Sequence, residues 1–193
     1  VVKWGAHGAR CDSPQTGATW LYDPVRNVWT ESNSPTHPFG ICGTWGTAYD
    51  RANKVVVSVQ AEGGNHGWQW DRAKAMRPSS PWVFSPGADR WTAVKPLESG
   101  TGPGMRGFLP LVYVDSLGAT FLFGGQWGFN NAGDKGNQAW LYDAYTNEWR
   151  LLPPTDPQPG ARAHHGMCYI RHLNKVLMTG GSYRGADNRT WLY

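Results

Sequence analysis

The stretch Ala139-Trp140-Leu141-Tyr142-Asp143-Ala144-Tyr145-Thr146-Asn147-Glu148-Trp149-Arg150 decides how the chain is read. Trp140 and Tyr142 stand two residues apart, so on a strand both project from one face. Asp143 and Asn147 bracket a tight turn, after which Trp149 begins a second strand. The same hairpin recurs as Thr19-Trp20-Leu21-Tyr22-Asp23 and as Pro81-Trp82-Val83-Phe84-Ser85; its first half recurs as Thr190-Trp191-Leu192-Tyr193. A second Trp follows the aromatic by seven residues in the first three copies: Tyr22 to Trp29, Phe84 to Trp91, Tyr142 to Trp149. The anchor Trp returns at intervals of 62, 58 and 51 residues. Asn27, Asp89 and Asn147 occupy equivalent turn positions, where an Asx side chain is expected to bond local backbone.

Upstream of each later hairpin the register continues. A glycine pair recurs as Gly63-Gly64, Gly124-Gly125 and Gly180-Gly181. A short apolar run precedes each pair, at residues 54–59, 119–123 and 175–179. Before each of those lies another strand-like run, at residues 44–49, 108–114 and 163–170. Each unit therefore reads strand, turn, strand, Gly-Gly, loop, strand, turn, strand. No segment carries a 3.6-residue period, so almost no helix is expected. Trp20, Trp82 and Trp140 are expected to be buried as flat fillers between stacked sheets. The glycine pairs are expected where φ turns positive or where a Cβ would clash.

Four antiparallel strands per 50–60 residues describe one propeller blade. The Gly-Gly pair, the downstream aromatic and the Trp after six intervening residues resemble the Kelch repeat, and the resemblance runs through nearly the whole chain. It implies an all-β β-propeller. The units fall at residues 1–32 (partial blade), 44–94, 107–152 and 163–193 (partial blade), with 2, 4, 4 and 3 strands read in turn. About three and a quarter blades fall short of the 4–8 of a closed propeller. The expectation is an incomplete set of blades, completed by further chain or by a second subunit.

Loop length separates two faces. First-to-second and third-to-fourth turns are short, whereas second-to-third and blade-to-blade connections are long. Long insertions gathered on one face of a repeat protein favour that face for binding. Those loops carry Asn65-His66-Gly67-Trp68-Gln69-Trp70-Asp71-Arg72, Gln126-Trp127-Gly128-Phe129 and Ser182-Tyr183-Arg184. Trp68, Trp70, Arg72, Trp127, Phe129, Arg184 and His66 are the expected ligand-binding residues: flat faces for a sugar ring or a protein side chain, and polar forks for hydroxyls and carboxylates.

No catalytic motif stands out. His164-His165 are strand neighbours and point apart, so they make a poor joint metal site. His7, His66 and one of that pair come from separate blades, and their spacing specifies no metal. Kelch-like propellers include the galactose-oxidase type of copper enzyme; Cys42 sits on a suitable loop, but no Tyr-His pair follows, and copper is implied only under that alternative. A polysaccharide lyase would draw on His66, Arg72, Arg106, Arg162 and His165. The chain has 18 basic and 14 acidic residues, a net +4 spread without a run, unlike a nucleic-acid footprint. No apolar stretch approaches the ~20 residues of a spanning helix. Cys11, Cys42 and Cys168 form no C-x-x-C and allow at most one internal disulfide. Abundant Trp, thin Lys usage and the sequon Asn188-Arg189-Thr190 lean toward an extracellular or periplasmic setting. The expected function is a protein- or glycan-binding module acting through its long-loop face; the alternatives are a secreted carbohydrate-active enzyme and a structural subunit of a larger assembly.

Overall fold

The computed structural model describes residues 1–4, 18–38, 46–59, 81–94, 102–103, 106–125, 136–182 and 188–193. Among them the protein is all-β: fourteen strands and two single 3₁₀ turns, Asp115–Leu117 and Arg171–Leu173. The first sheet holds β1 (Val2–Trp4), β2 (Thr19–Asp23) and β3 (Val28–Glu31). The second holds β4 (Gly46–Asp50), β5 (Val55–Val59), β6 (Pro81–Ser85) and β7 (Arg90–Ala93). The third holds β8 (Leu111–Val114), β9 (Ala119–Phe123), β10 (Ala139–Asp143) and β11 (Glu148–Leu151). The fourth holds β12 (Ala163–Ile170), β13 (Lys175–Ser182) and β14 (Thr190–Leu192). Every neighbour pair is antiparallel and consecutive in the chain, so each sheet is a simple meander. The first sheet has one more strand than the hairpin motif alone reveals, because Val2 and Trp4 pair with Leu21 and Thr19.

The sheets pack in chain order through apolar faces of alternating character. Val2 and Leu21 of the first sheet lie against Val56, Phe84 and Trp91 of the second. Ala48, Val57 and Val59, on the other face of the second sheet, meet Leu122, Trp140 and Tyr142 of the third. Val112, Phe121, Phe123 and Leu141 then meet Val176 and Met178 of the fourth. The period-2 alternation of each strand thus supplies two apolar faces, one aromatic and turned to the preceding sheet, one mainly aliphatic and turned to the next.

That order sets the burial of the repeated Trp residues, and it corrects the expectation that Trp20, Trp82 and Trp140 are alike. Trp140 is 8% exposed and Trp91 1%, but Trp20 is 37% and Trp29 48% exposed. Trp82 and Trp149 are half-buried. Among the described residues no sheet packs on the aromatic face of the first, and Trp20 and Trp29 stay exposed there.

The hairpins carry a second correction. Asn27, Asp89 and Asn147 do adopt positive φ (54°, 47° and 60°). The side-chain bonds of Asn27 and Asp89 run to residues other than the turn backbone. Asn27 and Asn147 accept from Tyr22 and Tyr142 Oη at 2.9 Å each, and Asp89 accepts from Ser32 Oγ at 2.5 Å. The local turn is instead closed by the carboxylate at its start: Asp23 accepts from Val25 and Arg26 N–H, Asp143 from Tyr145 and Thr146 N–H. Gly124, Gly125, Gly180 and Gly181 all have positive φ (69°, 94°, 68° and 89°), as expected. At Gly124 a Cβ would also lie 2.4 Å from the Arg162 carbonyl.

Trp140→Ala should lower stability by about 3–5 kcal/mol in urea unfolding, because its indole fills the gap between two sheets. Trp20→Ala should cost less, about 1 kcal/mol, since its indole is far more exposed. Equal losses would contradict the sheet order described above.

Candidate functional site

In a meander, first-to-second and third-to-fourth turns lie at one end of the sheet, and all other connections leave from the opposite end. The short end holds six four-residue turns: residues 24–27, 51–54, 86–89, 115–118, 144–147 and 171–174. Three of these are tied across sheets. Arg51, Asp115 and Arg171 occupy the same position in successive first turns, and both guanidiniums reach one carboxylate. Arg51 Nε donates to Asp115 Oδ1 at 2.8 Å with Nη2 on Oδ2, and Arg171 Nε lies 3.0 Å from Oδ2. The Arg51 hydrogen bonds, and then the Arg171 charge, hold the Asp115 carboxyl below the usual carboxylate range. Ser116 Oγ adds a 2.5 Å bond to Asn174 Oδ1. Exposed pairs of this kind contribute little energy, so the ladder chiefly sets alignment.

The opposite end is where the long connections start and finish, and its floor is built from two arginines in equivalent positions. Arg106 is 4% exposed; it donates to Pro103 O at 2.7 Å, Gly124 O at 3.0 Å and Gln138 Oε1 at 2.5 Å. Arg162 is 1% exposed; it donates to Gly160 O at 3.2 Å and Gly180 O at 3.1 Å. Each guanidinium therefore binds the carbonyl of the first glycine of its own sheet's Gly-Gly pair. A planar fork of five donors suits this role, because one side chain satisfies several inward-turned carbonyls. Burial lowers the Arg106 pKa to about 10, which leaves it protonated near neutrality. The Arg162 backbone closes the seam between the third and fourth sheets: its N–H donates to Gly136 O at 3.1 Å, and its carbonyl accepts from Gly125 N–H at 2.9 Å.

His164 and His165 point to opposite sides, as their strand setting implies. His164 is exposed, has φ 59°, and stacks on Phe108 with ring centroids 4.3 Å apart. His165 is 6% exposed and packs edge-on to Phe123 and against Gly181. Neither of its ring nitrogens finds a hydrogen-bond partner of good geometry. Burial, then the Arg162 charge, then His164, push its pKa down to about 4, and a weak approach to the Phe123 backbone acts the other way. Its imidazole is neutral at pH 7. Arg106, Arg162 and His165 thus spend their polar groups or their bulk inside the protein, where a polysaccharide would need them at the surface.

The seven expected ligand-binding residues, Trp68, Trp70, Arg72, Trp127, Phe129, Arg184 and His66, lie outside the described residues, as do His7, Gly63, Gly64, Cys11 and Cys42. Cys168 is a free, exposed thiol. Among the described residues no group of three or more metal-ligating side chains converges, and no helix is long and apolar enough to cross a membrane. Sequence reading overlooked the Arg51–Asp115–Arg171 ladder and Gln138. The signal for the ladder was present, as alternating charge at one turn position of successive units. Gln138 gave none, since its role depends on Arg106 arriving from another segment. No protein-family model matches the chain, and no curated protein does.

Stability should fall on acidification. Between pH 6.5 and about 4 the unfolded chain binds a proton at His165 that the folded chain refuses, so stability present at neutral pH is lost through that window, by roughly 3 kcal/mol. Thermal melting from pH 7 to 4.5 should therefore show a shallower decline in His165→Leu than in the wild type. Parallel declines would mean that another group titrates.

Proposed function

We propose that the chain is a Kelch-type propeller segment that works as a binding or interaction module, engaging a protein or a glycan at the end from which its long connections emerge. The observation that carries this reading is the segregation of the two ends. Six tight turns occupy one end, and β1–β2, β5–β6, β9–β10 and β13–β14 are joined at the other through residues 5–18, 60–80, 124–138 and 183–189. Four-stranded antiparallel sheets stacked in chain order are compatible with blades. Rigid sheets that present long loops at one end suit recognition. The loop sequences supply Trp68, Trp70, Arg72, Trp127, Phe129 and Arg184, residue types that dominate binding energy because they bury much area at modest entropy cost. The inward use of Arg106, Arg162 and His165 favours binding over the lyase alternative, since a lyase would need those groups at a substrate.

A glycan array and a protein-capture screen on the chain identify the ligand class. Trp68→Ala or Trp127→Ala should then weaken binding by about 2 kcal/mol or more, roughly thirtyfold, with unchanged melting. Asn147→Ala, at the short-turn end, should leave affinity unchanged. The reverse pattern would place the ligand at the other end.

A further inference from the structure

We infer that Phe108 and His164 form a stacking platform for a pyranose ring, so that the long-connection end takes a glycan rather than a protein segment. The inference rests on the proposed reading of that end as the binding end, and adds to it two residues and a ligand class.

Among the described residues, seven that are not glycine have positive φ. Five of them, Asn27, Lys54, Asp89, Asn147 and Asn174, each close a four-residue turn at the short-turn end. Four of those five are Asn or Asp, which tolerate the left-handed region. Phe108 (φ 55°) and His164 (φ 59°) are the other two, and neither lies in such a turn. They hold equivalent places in successive sheets, two residues after Arg106 and Arg162. Each stands beside the second glycine of its sheet's pair. Ala163 pairs with Ser182 and His165 with Gly180, which puts His164 opposite Gly181. A Cβ on Gly125 would lie 3.0 Å from Arg106 Cβ and from Leu109 Cδ2, on either side of Phe108 in the chain. The kink needs only a residue that accepts positive φ, and glycine would supply it without strain. A bulky ring in that conformation is a backbone outlier, and such outliers cluster at ligand sites.

The two rings are held together across the third and fourth sheets. His164 N–H donates to Phe108 O at 2.8 Å, and the rings stack with centroids 4.3 Å apart and planes 30° from parallel. Phe108 stays only half-buried although the third sheet has a sheet packed on each of its faces, so its accessibility does not come from an open seam. His164 is exposed, and a neutral imidazole presents one N–H donor and one ring-nitrogen acceptor at its edge. A flat apolar surface with a donor and an acceptor at its rim matches a pyranose: the C–H face of the sugar lies on the rings, and its hydroxyls take up the hydrogen bonds. The anchor of a protein interface instead sinks into an enclosed, desolvated pocket, which a two-ring face open to solvent does not provide.

The test applies the 193-residue chain to an array of oligosaccharides, measures the Kd of the strongest hit in solution by titration calorimetry, and follows melting alongside. Phe108→Gly and His164→Asn keep the positive φ and remove the ring. Each should weaken the oligosaccharide at least tenfold, while the melting midpoint holds or rises. His164→Tyr, which keeps a ring, should stay within threefold of the wild type. A lowered midpoint in both ring-removing variants would show that the rings serve the scaffold, and would overturn the inference. Full oligosaccharide affinity in both would overturn it too; loss of that affinity in Trp68→Ala or Trp127→Ala would then leave the long-connection end standing as the binding end. A captured protein with no oligosaccharide bound would overturn the platform and its ligand class but not the binding end. No binding of either kind would overturn both readings.

Discussion

The structure depends on the packing of the aromatic face of one sheet onto the mainly aliphatic face of the sheet before it. Trp140 and Tyr142 against Val57 and Val59, and Phe84 and Trp91 against Val2 and Leu21, are two instances of one contact. A buried aromatic removes on the order of 150–250 Å² from water, far more than any single turn or ion pair contributes. The flat ring also suits the roughly 10 Å gap between sheets. Other features follow from keeping successive sheets close enough for that contact. Gly46 illustrates the tolerance: a Cβ there would sit 2.5 Å from Leu111 Cγ of the next sheet.

Polar chemistry then secures the ends of the stack, by different means. At the short-turn end the Arg51–Asp115–Arg171 ladder is largely solvated and worth little in energy, but it aligns three consecutive sheets. At the long-connection end the main chain must turn from one sheet to the next, and the bend leaves inward carbonyls at Gly124 and Gly180. Leaving such acceptors unsatisfied would cost about 1–3 kcal/mol each. Arg106 and Arg162 satisfy them, and the cost of burying a guanidinium is offset because one side chain serves several acceptors at once. His165 is the exception, a buried imidazole without a good partner, and its protonation on acidification opposes the fold.

These arrangements divide the molecule by task. The arginines, the glycine pairs and the aromatic faces all serve the scaffold, and the short-turn end is braced across sheets. Under the proposed reading, recognition falls to the long connections at the other end.

The repeat was legible in the sequence because both of its periods are local. A Trp and an aromatic two residues apart share a strand face whatever surrounds them, and Gly-Gly marks positive φ by itself; strands β2, β6, β10 and β14, the turns after the first three, and the short-turn end all follow. Val2–Trp4 escaped as a full strand because three residues carry too little pattern until Thr19–Leu21 pair with them. Which Trp is buried also depended on tertiary structure. Trp20 and Trp140 are both followed by Leu-Tyr-Asp, but among the described residues only Trp140 has a sheet in front of it, and burial is a property of what packs against a residue. The same holds for Arg106, Arg162 and His165. As residue types they are equally suited to holding a substrate; the folded backbone placed carbonyls around the two guanidiniums and glycine and aromatic surface around the imidazole, because groups from segments far apart in the chain converge there, and no local pattern records that convergence.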